Sequence, residues 1–139
     1  MHIPRIVICV LGPSVGFNRE VVLLRQYAPG GRAAWVLPAA RATAHPDQDA
    51  AAYLETAFGL KIQPQDLRGR CDRWTTAMTG AGEVQLYSLL LSGQKFDAHF
   101  PCTHEQVQIR SFRDIFHHSP DLDWCTLGMI VHVFYHLER

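Results

Sequence analysis

Asp47, Asp49 and Glu105 are the carboxylates whose surroundings suit acid–base work or cation binding. Asp47 and Asp49 stand at the start of an alanine- and leucine-rich stretch, where acidic side chains also favour a helix N-terminus through its dipole. A hard divalent ion takes about six to eight oxygens, so these residues make a sparse ligand set. Arg25 and Arg41 carry guanidinium forks that match phosphate or carboxylate in a bidentate way. His132 and His136 share one face of a helix at i, i+4 spacing, but Val133-Phe134-Tyr135 lies between them instead of the glutamate of a zinc-protease motif. A third ligand would have to come from His117 or His118. Cys102 and His104 form a weak nucleophile–base pair, with no oxyanion motif beside them.

Several elements must position these groups. Ile6–Leu11 is a continuous, partly β-branched apolar run that reads as a buried strand ended by Gly12-Pro13. Glu20–Gln26 reads as a second strand, in a hairpin with the first. Trp35-Val36-Leu37 is a short third strand stopped by Pro38. Arg41–Gln48 lacks periodicity and reads as a loop. Pro46 marks a helix start, Asp49–Phe58 has helical composition, and Gly59 stands where a C-terminal glycine belongs. Leu67–Ala77 and Glu83–Ser92 read as a hairpin around Thr79-Gly80-Ala81-Gly82, and Gly93–Phe100 as a loop. In that hairpin, Arg68, Arg70 and Arg73 alternate around Cys71. Gln106–Phe112 reads as a strand leading into a short helix ending near His117. Asp121 is expected to cap a last, strongly apolar helix over Leu122–His136.

The 139 residues suit a single domain, 1–139, of α+β class. Thirteen basic residues balance thirteen acidic ones, which argues against a protein that grips nucleic acid through a basic face. Eleven of those thirteen basic residues are arginine, a choice that favours directed contacts with oxyanions. Four widely spaced cysteines without a C-x-x-C pair suggest reduced, mostly buried thiols and a cytoplasmic protein. No signal peptide is evident. The apolar stretch Leu127–Leu137 is about half a membrane span and carries two histidines, so no membrane partner is expected.

The string Val21-Val22-Leu23-Leu24-Arg25-Gln26, then Trp35-Val36-Leu37-Pro38, then an alanine-rich helix closing on Phe58-Gly59-Leu60, resembles the front half of a Nudix domain. His104-Glu105-Gln106-Val107 and Arg110-Ser111-Phe112-Arg113-Asp114-Ile115 resemble that family's late strand and following helix. The resemblance runs from about Ile6 to the C-terminus. It implies an α/β/α sandwich with a mixed central sheet. The family's signature is a loop–helix–loop whose glutamates hold divalent metal against a diphosphate, neutralising charge and activating water. Anchored on Gly59-Leu60, this chain departs from that pattern. Ala39 and Ala40 replace the paired glycines, Ala52-Tyr53 the Arg-Glu pair, and Thr56-Ala57 the Glu-Glu pair, while Leu54 keeps the aliphatic position. The segment from Ala40 to Gly59 is also two residues shorter than the pattern.

The resemblance therefore implies a degenerate Nudix box and a pseudoenzyme, with no metal site and no cofactor. Such a domain would bind a small anionic or nucleotide-like ligand, or a protein partner. Arg25 and Arg41 would hold its charge, while Trp35 and Tyr27, which flank the entrance in this fold, would stack on a flat group; core packing is the other reading of Trp35. The alternative is an active phosphohydrolase on a nucleoside diphosphate derivative. It would use Mg2+ or Mn2+ at a rearranged site with Asp49 and Glu105 as the catalytic carboxylates. Asp49 lies four residues before Tyr53, on the face of the missing glutamate, and Glu105 occupies a loop where some family members place a water-activating glutamate. For the last helix the readings are core packing or a homodimer face through 122–136.

Overall fold

A computed structural model describes residues 5–27, 33–76, 82–103 and 105–137. The strands are β1 (Arg5–Leu11), β2 (Glu20–Tyr27), β3 (Ala33–Val36), β4 (Ala39–Arg41), β5 (Arg68–Thr76), β6 (Gly82–Leu90) and β7 (Val107–Ser111). The helices are α1 (Pro46–Phe58), α2 (Gly93–His99), α3 (Phe112–His117) and α4 (Trp124–Leu137). The seven strands form one mixed sheet in the order β3-β2-β1-β6-β5, with β4 paired to β1 and β7 to β2. β1 runs parallel to β6 over its whole length, and the other pairings are antiparallel.

β1 explains its own composition. Val7, Cys9 and Leu11 face a core closed by α3 and α4, while Ile6, Ile8 and Val10 face a second core closed by α1 and α2. A strand covered on both faces has no solvent side, so its apolar run is continuous instead of alternating. The result is the expected α/β/α sandwich. Burial pushes the Cys9 thiol up to about 12, which removes its thiolate and hence its reactivity. In native protein an aromatic disulfide reagent is therefore expected to modify the exposed Cys102 readily and to reach Cys9 only on unfolding. Rapid labelling of Cys9 would contradict this packing.

α1 begins with Pro46 at its first turn, beside Asp47 and Asp49. It ends at Gly59, whose φ of 66° is left-handed and costs least in glycine. The Gly59 and Leu60 N–H groups close the helix end by donating to the carbonyls of Glu55 and Leu54. Ala50 and Leu54, one turn apart, are buried against the sheet. In α4, Thr126, Met129, Ile130, Val133 and Phe134 form the buried stripe. Core packing thus takes up most of the apolar face, and Trp124 (76% exposed) and Tyr135 (64% exposed) are the large hydrophobic side chains that α4 leaves exposed. Among the described residues no helix is long and apolar enough to cross a membrane.

Four expectations change. The β1–β2 hairpin is reduced to a single pair, Leu11↔Val21, because β1 gives its edges to β6 and β4. Ala39–Arg41 is a strand that pairs with Val7, Ile6 and Arg5. Gly93–His99 is a helix, capped where the Ser92 hydroxyl accepts the Lys95 N–H at 3.3 Å. Asp121 is not the cap of α4. The Asp123 carboxylate accepts the Thr126 N–H, and Asp121 is bound elsewhere. β5 and β6 do form a hairpin, but its turn, 77–81, lies outside the described residues, as do the side chains of Arg68, Arg70 and Arg73. A register shift between Arg68 and Asp72 breaks their simple alternation.

Candidate functional site

β1 and β2 touch at Leu11↔Val21 and then diverge, which leaves one edge of β1 open toward its N-terminal end. The chain leaving β3 crosses into that gap. The Pro38 carbonyl accepts the Ile8 N–H at 2.8 Å, and β4 follows along Arg5–Val7. A cleft of about 380 Å3 opens between this β1–β4 ribbon and the β2–β3 pair. Leu24, Val36, Leu37, Ala39 and Ala40 form its apolar wall, and Tyr53 projects into it from α1. Arg5, Arg25, Arg41 and Gln26 supply its polar groups. Among the described residues, the lining contains three guanidinium groups and no carboxylate.

Tyr53 stands where the resemblance places a metal-binding glutamate. It is half-buried, and burial pushes its phenol up from the ordinary value, with a backbone hydrogen bond from Ala39 opposing the shift. The hydroxyl therefore stays neutral near pH 7 and offers a hydrogen bond instead of a charge. The neighbouring signature positions, Ala52, Thr56 and Ala57, are exposed and hold no anion.

The proposed carboxylates are placed differently. The Asp49 carboxylate accepts both the backbone N–H and the hydroxyl of Thr43, which pins the β4–α1 loop to the helix start. These two bonds hold its carboxyl below the ordinary value. Asp47 accepts the hydroxyl of the buried Tyr87 at 2.7 Å and so ties α1 to β6. Neither lines the cleft. Glu105 is 76% exposed, and its carboxylate lies 3.9 Å from the Arg25 guanidinium. It belongs to the loop before β7, whose Gln106 carbonyl accepts the Arg25 N–H.

Arg25 and Arg41, chosen from sequence, line one cavity. Trp35 does not join them: at 9% exposure it packs with Leu23, Met129 and Val133 in the α4-side core. That position supplies packing, with no open ring face for a flat ligand. The side chain of Tyr27 lies outside the described residues, as does His104. His132 and His136 do stack, with ring centroids 4.1 Å apart. Among the described residues, however, no three His, Cys, Asp or Glu side chains gather so as to hold a metal ion. The donor set of the cleft is cationic and amide, which does not fit a hard divalent cation. Arg5 is the residue that sequence reasoning missed. It stands at the start of the first strand, and nothing local connects it to Arg41.

No family model matches the sequence, and no curated protein does. Solved structures do. The chain superposes on the C-terminal domain of mouse MUTYH, solved in complex with human PCNA, with a TM-score of 0.68 at 14% identity, covering 99% of this chain and 91% of that one. A mutT/nudix family protein from Listeria innocua gives a TM-score of 0.69 at 12% identity, covering 98% and 94%. The NUDIX domain of Shewanella oneidensis NrtR, complexed with ADP ribose, gives 0.68 at 14% identity, covering 99% and 89%. With one mixed sheet, helices on both faces and near-complete superposition on these domains, the chain has the Nudix fold.

Proposed function

We propose that this domain binds a small anionic, nucleotide-like ligand in the Arg5–Arg25–Arg41 cleft and does not hydrolyse it by a metal mechanism. One observation carries the reading: the described lining of the cleft is cationic, with Tyr53 at a position where the resemblance places a metal-binding glutamate. Where a hydrolase gathers carboxylates to hold metal, this cleft presents three arginines and a neutral tyrosine. Guanidinium forks bind phosphate oxygens directly, and the apolar wall of Leu24, Val36 and Leu37 suits the uncharged part of such a ligand. The two carboxylates that would activate water in a hydrolase are engaged elsewhere, Asp49 with Thr43 and Glu105 beside Arg25, which supports this reading.

ADP-ribose, which the Shewanella NUDIX domain holds, is the natural first probe. Present at 100 times its Kd, it is expected to stabilise the protein by about 2.7 kcal/mol, read as a rise in melting temperature. Arg25→Ala is expected to weaken binding about 10- to 100-fold, the loss of one charge-assisted pair. Incubation with Mg2+ or Mn2+ and a panel of nucleoside diphosphate derivatives is expected to release no product. Turnover that disappears in Asp49→Ala or Glu105→Ala would instead establish the hydrolase.

A further inference from the structure

Arg5 and Arg41 are directly opposite each other across the β1–β4 pair. Facing residues of an antiparallel pair project to the same side, with Cβ atoms ~4.5–5.5 Å apart, and like charges so placed repel. Both side chains are exposed, and among the described residues neither has a hydrogen bond or ion pair. Both border the cleft. Exposed arginines usually relieve repulsion by splaying into solvent or by pairing with a nearby carboxylate. Here the adjoining wall positions are Ala39 and Ala40, and the acidic residues close in sequence are engaged elsewhere, Asp47 with the Tyr87 hydroxyl and Asp49 with Thr43. Among the described residues, the arrangement leaves two guanidinium groups without a counter-ion beside a cavity. An oxyanion seated between them would remove the repulsion and accept from both.

We propose that Arg5 and Arg41 form a guanidinium clamp that takes the phosphoryl end of the ligand directly and replaces the metal ion as its charge neutraliser. This rests on the ligand reading above and adds to it that binding is metal-independent. Tyr53, neutral and half-buried, then closes the α1 side of the cleft without competing for the anion as a glutamate would. The specificity that follows is for a doubly charged phosphoryl group, since two guanidinium forks carry two positive charges, which a single carboxylate does not balance.

The test is thermal unfolding of the full chain with inorganic pyrophosphate at constant ionic strength, in EDTA and then in Mg2+. Pyrophosphate is expected to raise the melting temperature in EDTA, and no more strongly in Mg2+. Arg5→Gln and Arg41→Gln are each expected to raise the melting temperature of the ligand-free protein, because the like-charge pair is gone. Each is also expected to weaken pyrophosphate binding about 10- to 100-fold. Stabilising the free protein while losing the ligand response is a combination that misfolding cannot produce. Arg41→Lys, which keeps the charge and loses the fork, is expected to bind with intermediate affinity. A response that requires Mg2+, or one that survives both glutamine substitutions, overturns the clamp. If ADP-ribose stabilises the protein only with Mg2+, the clamp falls and the nucleotide reading stands. If neither probe stabilises it, both fall.

Discussion

Trp35→Ala is expected to lower stability by about 3–5 kcal/mol, the range for emptying a large aromatic site in a core. For a domain of this length that is a fall of ~10–20 °C in melting temperature. The indole is 9% exposed and packs with Leu23, Met129 and Val133 under α4. Its backbone is fixed as well, with the N–H donating to the Asp121 carbonyl at 3.0 Å and a bridge to Leu122. Directly across the β2–β3 pair stands Arg25, so the packing of Trp35 also sets the position of a cleft arginine. The substitution is therefore expected to weaken ADP-ribose binding less than Arg25→Ala does, measured well below the melting temperature. A variant that keeps its stability and loses the ligand would restore the stacking reading. Thermal melting and a binding isotherm on the same sample separate the two.

Asp121→Asn is expected to cost about 1–2 kcal/mol at pH 7. Arg110 grips the Asp121 carboxylate with both ends of its fork, at 3.1 and 2.7 Å, and its Nε donates to Gln108 at 2.6 Å. Charge-assisted bonds are worth ~1.5–3 kcal/mol, discounted here because the carboxylate is 39% exposed. The fork joins β7 to the loop before α4, and the Asp121 carbonyl on that loop receives the Trp35 N–H. Hydrogen bonds from Arg110, with its charge adding, hold the Asp121 carboxyl below its ordinary value against the opposing effect of burial. A lowered folded pKa means stability that is present above the unfolded value, near 3.9, and is lost as pH falls through the lower folded value. The melting-temperature gap between wild type and Asp121→Asn should thus be full at pH 7 and close below about pH 4. A gap independent of pH would show that the carboxylate contributes shape and not charge.

Which elements were legible follows from where each gets its stability. The run Ile6–Leu11 announces a buried strand because burial on both faces requires apolar residues at every position. The start and end of α1 are equally plain, since Pro46 and Gly59 act within a single turn. α2 escaped because it is short and opens on a glycine, with Ser92 as its one local signal. β4 escaped because Ala39-Ala40-Arg41 has no strand propensity of its own; it is extended because the edge of β1 is open there. Asp121 and Asp123 are two residues apart and equally able to cap a helix. Arg110 draws the first away and leaves the second to α4.

The same division applies to the site. By itself the sequence determined that the helix positions where the resemblance places metal-binding glutamates hold Tyr53, Thr56 and Ala57, and it offered Arg25 and Arg41 as candidate partners for an anion. Those are statements about side-chain chemistry at positions a local pattern can index. Only the tertiary structure decided that Trp35 is core, that Asp49 is bound to Thr43, and that Arg5 faces Arg41 across a strand pair. Each of these depends on register and layer order, which arise when distant segments bury apolar surface together. No run of neighbouring residues encodes that outcome.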